Sequence, residues 1–245
     1  MSPANSHIIA ALQKEILLHT AYKQHVKDVV LPADLQFLKE YLPLAVFPTA
    51  AIHEFIYDQY EDAAATNGFI SGLLSSCISA RGVVIWISLR PTVFPAVLQR
   101  FNIEPSDVIF IHPASEKELL WVTEEALKCD GLRAVVAQLN SLSFPNSRRF
   151  QLAVEKSKVT GFVLIQESKS LTNACVSRWK ISSMPSEQHD DLLPGVGFPK
   201  WKVELTKMRN GKPGEWEVEW SGDHFRKVNT AGISLKLTEL HQQTG

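Results

Sequence analysis

The sequence predicts an α/β protein with a wound, mostly parallel sheet flanked by helices, and three observations support this fold class. Short, nearly continuous apolar runs recur along the chain, and each is followed by a helical segment or a loop. Strands that are apolar on both faces are typical of a parallel sheet covered on both sides. Of the 245 residues, 45% are hydrophobic, which is enough for a sizeable core. The expected strands are Ile52–Tyr57, Val83–Ile87, Val108–Ile111, Ala134–Ala137 and Phe162–Ile165.

The first part of the chain, residues 1–45, is predicted to be a helical segment that precedes the sheet. Apolar residues at helical spacing predict an amphipathic N-terminal helix, Asn5–His19, which needs an apolar partner. Its apolar stripe consists of Ile8, Ile9, Leu12 and Ile16. A second, short helical piece is expected around Leu35–Leu42, between prolines that interrupt regular structure.

Within the core, the strongest helix signal covers Glu116–Cys129. Ser115 is the expected N-cap, Glu118 closes a capping box, and Gly131 follows the end of the helix. Lys128 in the last turn adds a favourable charge at the negative end of the helix dipole.

A β-hairpin is expected to close the core near its C-terminal end. Trp201, Val203 and Leu205 alternate with polar residues, as in a half-buried strand. Turn residues follow at Asn210–Gly214, and a second alternating run carries Trp216, Val218 and Trp220. The core is therefore expected to span residues 46–222, and residues 223–245 are predicted to form a loosely held C-terminal tail.

Composition excludes several classes of protein. The formal net charge of −1 provides no overall attraction for nucleic acid or anionic membranes, so any DNA contact must come from a local patch. The N-terminus lacks the features of a secretion signal, and no apolar run approaches the roughly 20 residues that cross a bilayer. Three widely spaced cysteines, Cys77, Cys129 and Cys175, indicate neither a disulfide framework nor a zinc site. We therefore expect a cytoplasmic protein without a membrane contact.

The segment from Ala51 to Ser71 has the outline of a nucleotide-binding turn, in which an apolar strand leads through a loop into a helix. A phosphate-binding loop reads GxxxxGK followed by Ser or Thr, because its glycines expose backbone N–H groups and its Lys reaches the phosphates. This loop instead carries Asp58, Glu61 and Asp62. Acidic residues in this place are explained as charges that interact favourably with the N-terminal end of a helix dipole.

Six segments, taken in order, connect the chain with a known family. They are FPTAAIHEF, EDAAATNGFISGLL, WVTEEALKCDGLRAVV, SRRFQLAVEKSKVTGFVL, ACVSRWKI and PGVGFPKWKVELTKMRNGKPGEWEVEW. Their order and spacing resemble the RecA-like ImuA proteins of SOS-induced mutagenesis cassettes, and the resemblance runs from about Phe47 to Trp220. It implies a RecA-like core over residues 46–222 that lacks the Walker motifs.

A RecA-type ATPase has three separable parts, and the resemblance assigns each of them a position in this chain. The phosphate-loop Lys falls at Ala63, directly after Asp62, and the Mg²⁺-binding hydroxyl falls at Ala64. The catalytic Glu falls at Arg90, and the acidic residue that ends the fourth strand falls at Gln138. Since a triphosphate needs Lys, Mg²⁺ or backbone donors nearby, we expect a degenerate site with no cofactor, no metal and no catalytic residue.

Two basic features are candidates for contacts with DNA or a partner, and the first is an arginine pair. Arg148 and Arg149 are expected in the first turn of the helix after Pro145, where positive charge opposes the dipole. A phosphate group or an acidic partner surface would compensate this charge, and so would a salt bridge to Glu155 or to a neighbouring loop.

The second basic feature is a stripe along the first hairpin strand and its turn, opposed by only Glu204. The stripe consists of Lys200, Lys202, Lys207, Arg209 and Lys212. It is interpreted either as a track for single-stranded DNA or as a solvated charged face. Strand alternation places Trp201 and Trp216 on the opposite, inner face, so base stacking by these residues is not expected.

The ImuA resemblance implies a non-catalytic accessory factor in mutagenic translesion synthesis. Its expected partners are an ImuB-like relative of Y-family polymerases and an error-prone replicative-type polymerase. The N-terminal helix is a candidate for self-association or docking. Two alternatives remain open: a cell-division inhibitor similar to SulA, and a DNA-binding RecA-like protein with residual nucleotide binding.

Overall fold

The computed structural model describes residues 31–78, 82–166, 172–186 and 197–228. The described strands form one nine-stranded sheet in the order β3-β2-β4-β5-β1-β6-β7-β8-β9. The first six strands in this order are parallel to their neighbours, and β7, β8 and β9 are added antiparallel. The strands are β1 Ile52–Tyr57, β2 Val84–Ile87, β3 Val108–Ile111, β4 Ala134–Leu139, β5 Thr160–Gln166, β6 Ser177–Met184, β7 Lys200–Met208, β8 Gly214–Ser221 and β9 His224–Lys227. The predicted wound, mostly parallel sheet is confirmed, and it is consistent with a RecA-like fold.

Three α-helices flank the sheet within the described residues: α1 Tyr60–Cys77, α2 Glu116–Lys128 and α3 Phe144–Ser157. The buried face of α1 packs into the larger apolar cluster, which also contains the inward side chains of the antiparallel strands. The other two helices cover the opposite face, in a smaller cluster with residues of the central parallel strands. Short 3-10 helices lie at Ala33–Leu38, Pro43–Ala45, Pro95–Phe101 and Pro105–Asp107.

The helix predictions hold to different degrees. The expected Glu116–Cys129 helix is α2, and the Ser115 hydroxyl caps it by accepting from the Glu118 N–H at 3.3 Å. The Glu118 carboxylate accepts from the N–H of Ala114 rather than that of Ser115, so the reciprocal bond lies one residue outside the expected capping box. The piece expected around Leu35–Leu42 is the 3-10 helix Ala33–Leu38. The predicted Asn5–His19 helix lies outside the described residues.

Two differences from the prediction lie at the C-terminal side of the sheet. Strand β6 was not among the expected strands, yet it joins the parallel part of the sheet to the antiparallel hairpin. The prediction of a tail from residue 223 is wrong for residues 224–227, because they form β9 and pair with β8. Phe225, 1% exposed, packs against Trp220 and Phe69 and so anchors this strand in the core. The rest of the predicted tail, residues 229–245, lies outside the described part.

Candidate functional site

The turn between β1 and α1 is held by hydrogen bonds between its own residues. Gln59 is the N-cap of α1, and its backbone N–H donates to Asp62 Oδ2 at 3.3 Å. In return, the Gln59 side chain accepts from the backbone N–H of Asp62, which completes a capping box. The carboxylate of Asp62 thus lies at the positive end of the α1 dipole, as expected from its place in the sequence.

The same carboxylate ties the helix to the sheet. Asp62 Oδ1 accepts from the backbone N–H of Ser183 at 2.7 Å and from the Ser183 hydroxyl at 3.1 Å. Asp62 is buried by these contacts, whereas the neighbouring Glu61 is exposed. A phosphate that approached this turn would therefore meet a fixed negative charge where an ATPase presents glycine N–H groups and a Lys.

Asp58, the first acidic residue of the turn, is paired with a lysine of β6. Lys180 Nζ lies 2.7 Å from Asp58 Oδ2, and this hydrogen bond raises the pKa of Lys180. Ala63 is half-buried and Ala64 is exposed, and neither has a side chain that can bind a phosphate or Mg²⁺. Among the described residues, Lys180 is the cation that forms an ion pair with this turn, and it is therefore already paired with a carboxylate.

The two distant positions that the resemblance assigned to catalysis have different surroundings. Gln138 lies on β4 and donates from Nε2 to the Tyr57 hydroxyl at 2.9 Å, across β5. Burial raises the pKa of Tyr57, so the phenol stays neutral beside this amide. Arg90 is exposed after β2, and its backbone carbonyl accepts from the Ser88 hydroxyl at 2.7 Å. Neither position offers a carboxylate to activate water or bind Mg²⁺.

No metal site is evident elsewhere in residues 31–78, 82–166, 172–186 and 197–228. No group of three His, Cys, Asp or Glu side chains in these ranges is arranged to hold a metal ion. The buried cysteines are poor ligands as well, because burial raises the pKa of Cys175 to about 12 and also raises that of Cys77.

The arginine pair lies one turn further along its helix than expected. Helix α3 begins at Phe144 with Ser143 as its N-cap, so Arg148 and Arg149 belong to the second turn, where the dipole effect is weaker. Arg149 makes an ion pair of 2.5 Å with Glu124 of α2. Arg148 lies 3.9 Å from Glu155, the partner suggested by the sequence. Both guanidinium groups are thus compensated within the chain.

The basic stripe of β7 faces acidic residues of β8. Lys202 lies 3.1 Å from both Glu204 and Glu215, and Lys200 lies 3.4 Å from Glu217. Glu204 lies on β7 itself, and antiparallel pairing of β7 with β8 brings Glu215 and Glu217 onto the face that carries the lysines. The stripe is therefore a mixed-charge surface rather than a continuous cationic track.

Two further basic residues of the stripe, Lys207 and Arg209, bind the chain that enters β6. Lys207 Nζ donates to the carbonyl of Asn173 at 3.1 Å, and Arg209 donates to the carbonyl of Ala174 at 2.9 Å. Burial lowers the pKa of Lys207. The inner-face prediction for the tryptophans is confirmed, since Trp201 and Trp216 are both buried.

Sequence reasoning missed an apolar groove beside α1. The groove has a volume of about 770 Å³ and is lined by the N-terminal half of α1, the segment around Pro95–Phe101 and the adjoining ends of β6 and β7. Phe94 is 71% exposed in its wall and Val97 is 48% exposed. Because these segments are far apart in sequence, no local pattern of residues signals the groove.

Among the described residues, no helix is long and apolar enough to cross a membrane.

Comparison with known proteins shows a similarity to ImuA proteins. The chain is 31% identical over 185 residues to protein ImuA of Caulobacter vibrioides strain NA1000 / CB15N, over 70% of this chain and 75% of the relative. The same values hold for protein ImuA of Caulobacter vibrioides strain ATCC 19089 / CIP 103742 / CB 15. No protein-family model matches the chain. The similarity covers more than two thirds of each protein and is not confined to one motif.

Proposed function

Because the chain belongs to the ImuA family of SOS mutagenesis cassettes, we propose that it is a non-catalytic accessory factor in damage-induced translesion synthesis. In this role it recruits or scaffolds an ImuB-like relative of Y-family polymerases and an error-prone replicative-type polymerase. The observation that carries the non-catalytic part is the pair of hydrogen bonds that Ser183 donates to Asp62, which hold a buried carboxylate at the start of α1.

The energetics of phosphoryl transfer support this proposal. Catalysis of ATP hydrolysis depends on positioned cations and donors around the phosphates, and loss of one such stabiliser typically lowers the rate about 100-fold to 1,000-fold. In this chain Ala63 and Ala64 replace the Lys and the Mg²⁺-binding hydroxyl, and Gln138 replaces the acidic residue at the end of its strand. These losses together are incompatible with an efficient ATPase.

A fold without its catalytic groups can still offer a rigid surface, and the outer face of α2 and α3 is the best candidate. The two helices pack side by side, joined by the ion pair between Arg149 and Glu124. Large apolar side chains protrude from this face: Trp121 is 60% exposed, Phe144 is 52% exposed and Leu152 is 49% exposed. Exposed Trp and Arg residues are enriched among those that dominate binding energy at protein interfaces.

Affinity purification of the full chain from damage-treated cells tests the proposal. We expect the ImuB-like protein and the error-prone polymerase to be recovered together with the chain. Trp121→Glu should reduce this recovery about tenfold or more, as expected for an interface hot spot. Tyr60→Glu is the matched control, because Tyr60 is also a highly exposed aromatic residue but lies at the start of α1.

The outcome that contradicts the proposal is equally specific. Recovery of a tubulin-like division protein in place of the polymerases would favour the SulA-like alternative. Recovery of neither, together with an unchanged frequency of damage-induced mutations when the chain is deleted, would exclude the accessory role.

A further inference from the structure

The apolar groove beside α1 is an exposed, mostly apolar concavity of about 770 Å³ among the described residues. Its lining includes Trp201 and Trp220, and Phe94 and Val97 project from its wall. Gly68 of α1 lets Trp201 approach the helix closely, because a Cβ at this position would lie 3.0 Å from the Trp201 side chain. Concavities with this apolar character are typical of sites that accept an apolar side-chain face.

The described chain begins at the other end of the same helix. Leu31 is buried in the larger cluster, next to the 3-10 helix Ala33–Leu38. Asp34 Oδ2 accepts from the Ser76 hydroxyl at 3.0 Å and from the Phe225 N–H at 3.1 Å, which fixes this entry point to the C-terminal end of α1. The residues that precede Leu31 are therefore tethered beside the helix whose N-terminal half lines the groove.

The point at which the N-terminal segment is attached, near Leu31 and Asp34, also lies next to one end of the groove. A shallow recess at the entry point is lined by Ala33, Ser75 and Asp223, and Gly222, the residue before Asp223, already belongs to the lining of the groove. From Ser75 back to Ala64, α1 rises by about 17 Å. The groove is thus a short distance along one helix from the point where the N-terminal segment is attached.

We propose that the apolar stripe predicted for residues 5–19 of the same chain binds in this groove. The stripe of Ile8, Ile9, Leu12 and Ile16 needs an apolar partner. Eleven residues, 20–30, separate it from Leu31, and in extended form they reach about 36 Å, more than the distance along α1. Tethering raises the effective concentration of the stripe at the groove to the millimolar range, which favours its own chain over a second copy.

This inference goes beyond the proposed function and does not depend on it. The α2–α3 face proposed for partner binding does not include any residue that lines the groove. Binding of the N-terminal stripe can therefore be measured on the chain alone, and recovery of the polymerase partners can be scored separately.

Photo-crosslinking in the full chain tests the proposal. The crosslinker p-benzoylphenylalanine replaces Phe94, which is exposed in the groove, and in a matched control it replaces Trp121, which is exposed on α2. After irradiation we expect position 94, but not position 121, to join peptides from residues 5–19 within material of monomer mass. Leu12→Asp should lower the yield roughly tenfold, because a charge would have to enter an apolar groove.

Ala10→Asp introduces the same charge on the opposite side of the predicted helix, and it should leave the crosslink intact. Crosslinks found only in material of dimer mass would overturn the proposal in favour of exchange between two copies. Absence of crosslinks from position 94 to residues 5–19 would also overturn it, as would an equal yield from position 121.

Discussion

Asp62 and Ser183 are separated by 121 residues in the sequence and joined by two hydrogen bonds, at 2.7 and 3.1 Å, to one carboxylate oxygen. The other carboxylate oxygen accepts from the N–H of Gln59. One side chain therefore caps α1 and fixes the helix to β6 at the turn where a RecA-type ATPase holds its phosphates. The Asp62 carboxylate therefore makes structural contacts on both sides of this turn.

Replacement of Asp62 by Ala should destabilise the chain. It removes the capping-box hydrogen bond to the Gln59 N–H, worth about 1 kcal/mol, and leaves the N–H of Ser183 without its acceptor, which costs a further 1–3 kcal/mol or so. We expect the free energy of unfolding in urea to fall by about 2–4 kcal/mol. Glu61→Ala is the control, since this exposed residue in the same helical turn should contribute only a few tenths of a kcal/mol. Equal effects of the two substitutions would contradict the structural role of Asp62.

The chain should bind no MgATP in the micromolar range, and Ala63→Lys should not restore binding. A new Lys at this position would lie beside the fixed carboxylate of Asp62, and Arg90 and Gln138 would still supply no acidic group for Mg²⁺ or water. Isothermal titration of both proteins with MgATP measures this, with circular dichroism to verify that the variant is folded. Saturable micromolar binding by the unaltered chain would indicate that nucleotide binding has been retained.

Single-stranded DNA should bind weakly and with little dependence on Arg148 and Arg149. Arg149 lies 2.5 Å from Glu124 and Arg148 lies 3.9 Å from Glu155, so both arginines already have acidic partners and should displace few counterions from DNA. We expect the joint replacement Arg148→Ala and Arg149→Ala to change the affinity for single-stranded DNA by less than about twofold at each salt concentration. Fluorescence anisotropy at several salt concentrations measures this. A steep salt dependence that the double replacement flattens would instead support direct DNA contact.

Local patterns predicted much of the fold because its central strands are continuous apolar runs and α2 carries its own cap signals. They failed where tertiary pairing decides the outcome. The lysines of β7 resembled a cationic stripe until the pairing with β8 brought Glu215 and Glu217 onto the same face. Likewise, Phe225 follows a turn and has few apolar neighbours in sequence, yet it is buried by aromatic side chains from α1 and β8.

The candidate site, like the fold, could be predicted only in part from the sequence. The sequence shows that Ala63 is not a Lys and that Gln138 is not a carboxylate. The structure shows which side chains surround these positions. The contact of Asp62 with Ser183 could not be predicted, because β6 was not recognised as a strand and the bond joins two distant segments. The groove beside α1 was missed for the same reason.

His53 should make stability fall as the pH decreases from about 6.5 to about 4. The ring is fully buried; its Nε2 donates to the Pro48 carbonyl at 2.7 Å, and its Nδ1 meets the Ser177 hydroxyl at 2.6 Å. Because the Pro48 carbonyl can only accept, Nε2 carries the proton of the neutral imidazole, and Nδ1 accepts from the Ser177 hydroxyl, whose oxygen also accepts from the Trp179 indole N–H. Burial accordingly lowers the pKa of His53 to about 4, against a residual opposing effect of the Pro48 carbonyl.

Between these two pH values the unfolded chain binds a proton at this position and the folded chain does not, so protonation favours unfolding. The shift corresponds to a loss of about 3 kcal/mol once the pH has fallen below the folded pKa, and above pH 6.5 the contribution is constant. Urea unfolding at several pH values measures this loss. His53→Gln should lower stability at neutral pH but flatten its dependence between pH 6.5 and 4. If His53→Gln retained the full slope, the acid sensitivity would have to come from other groups.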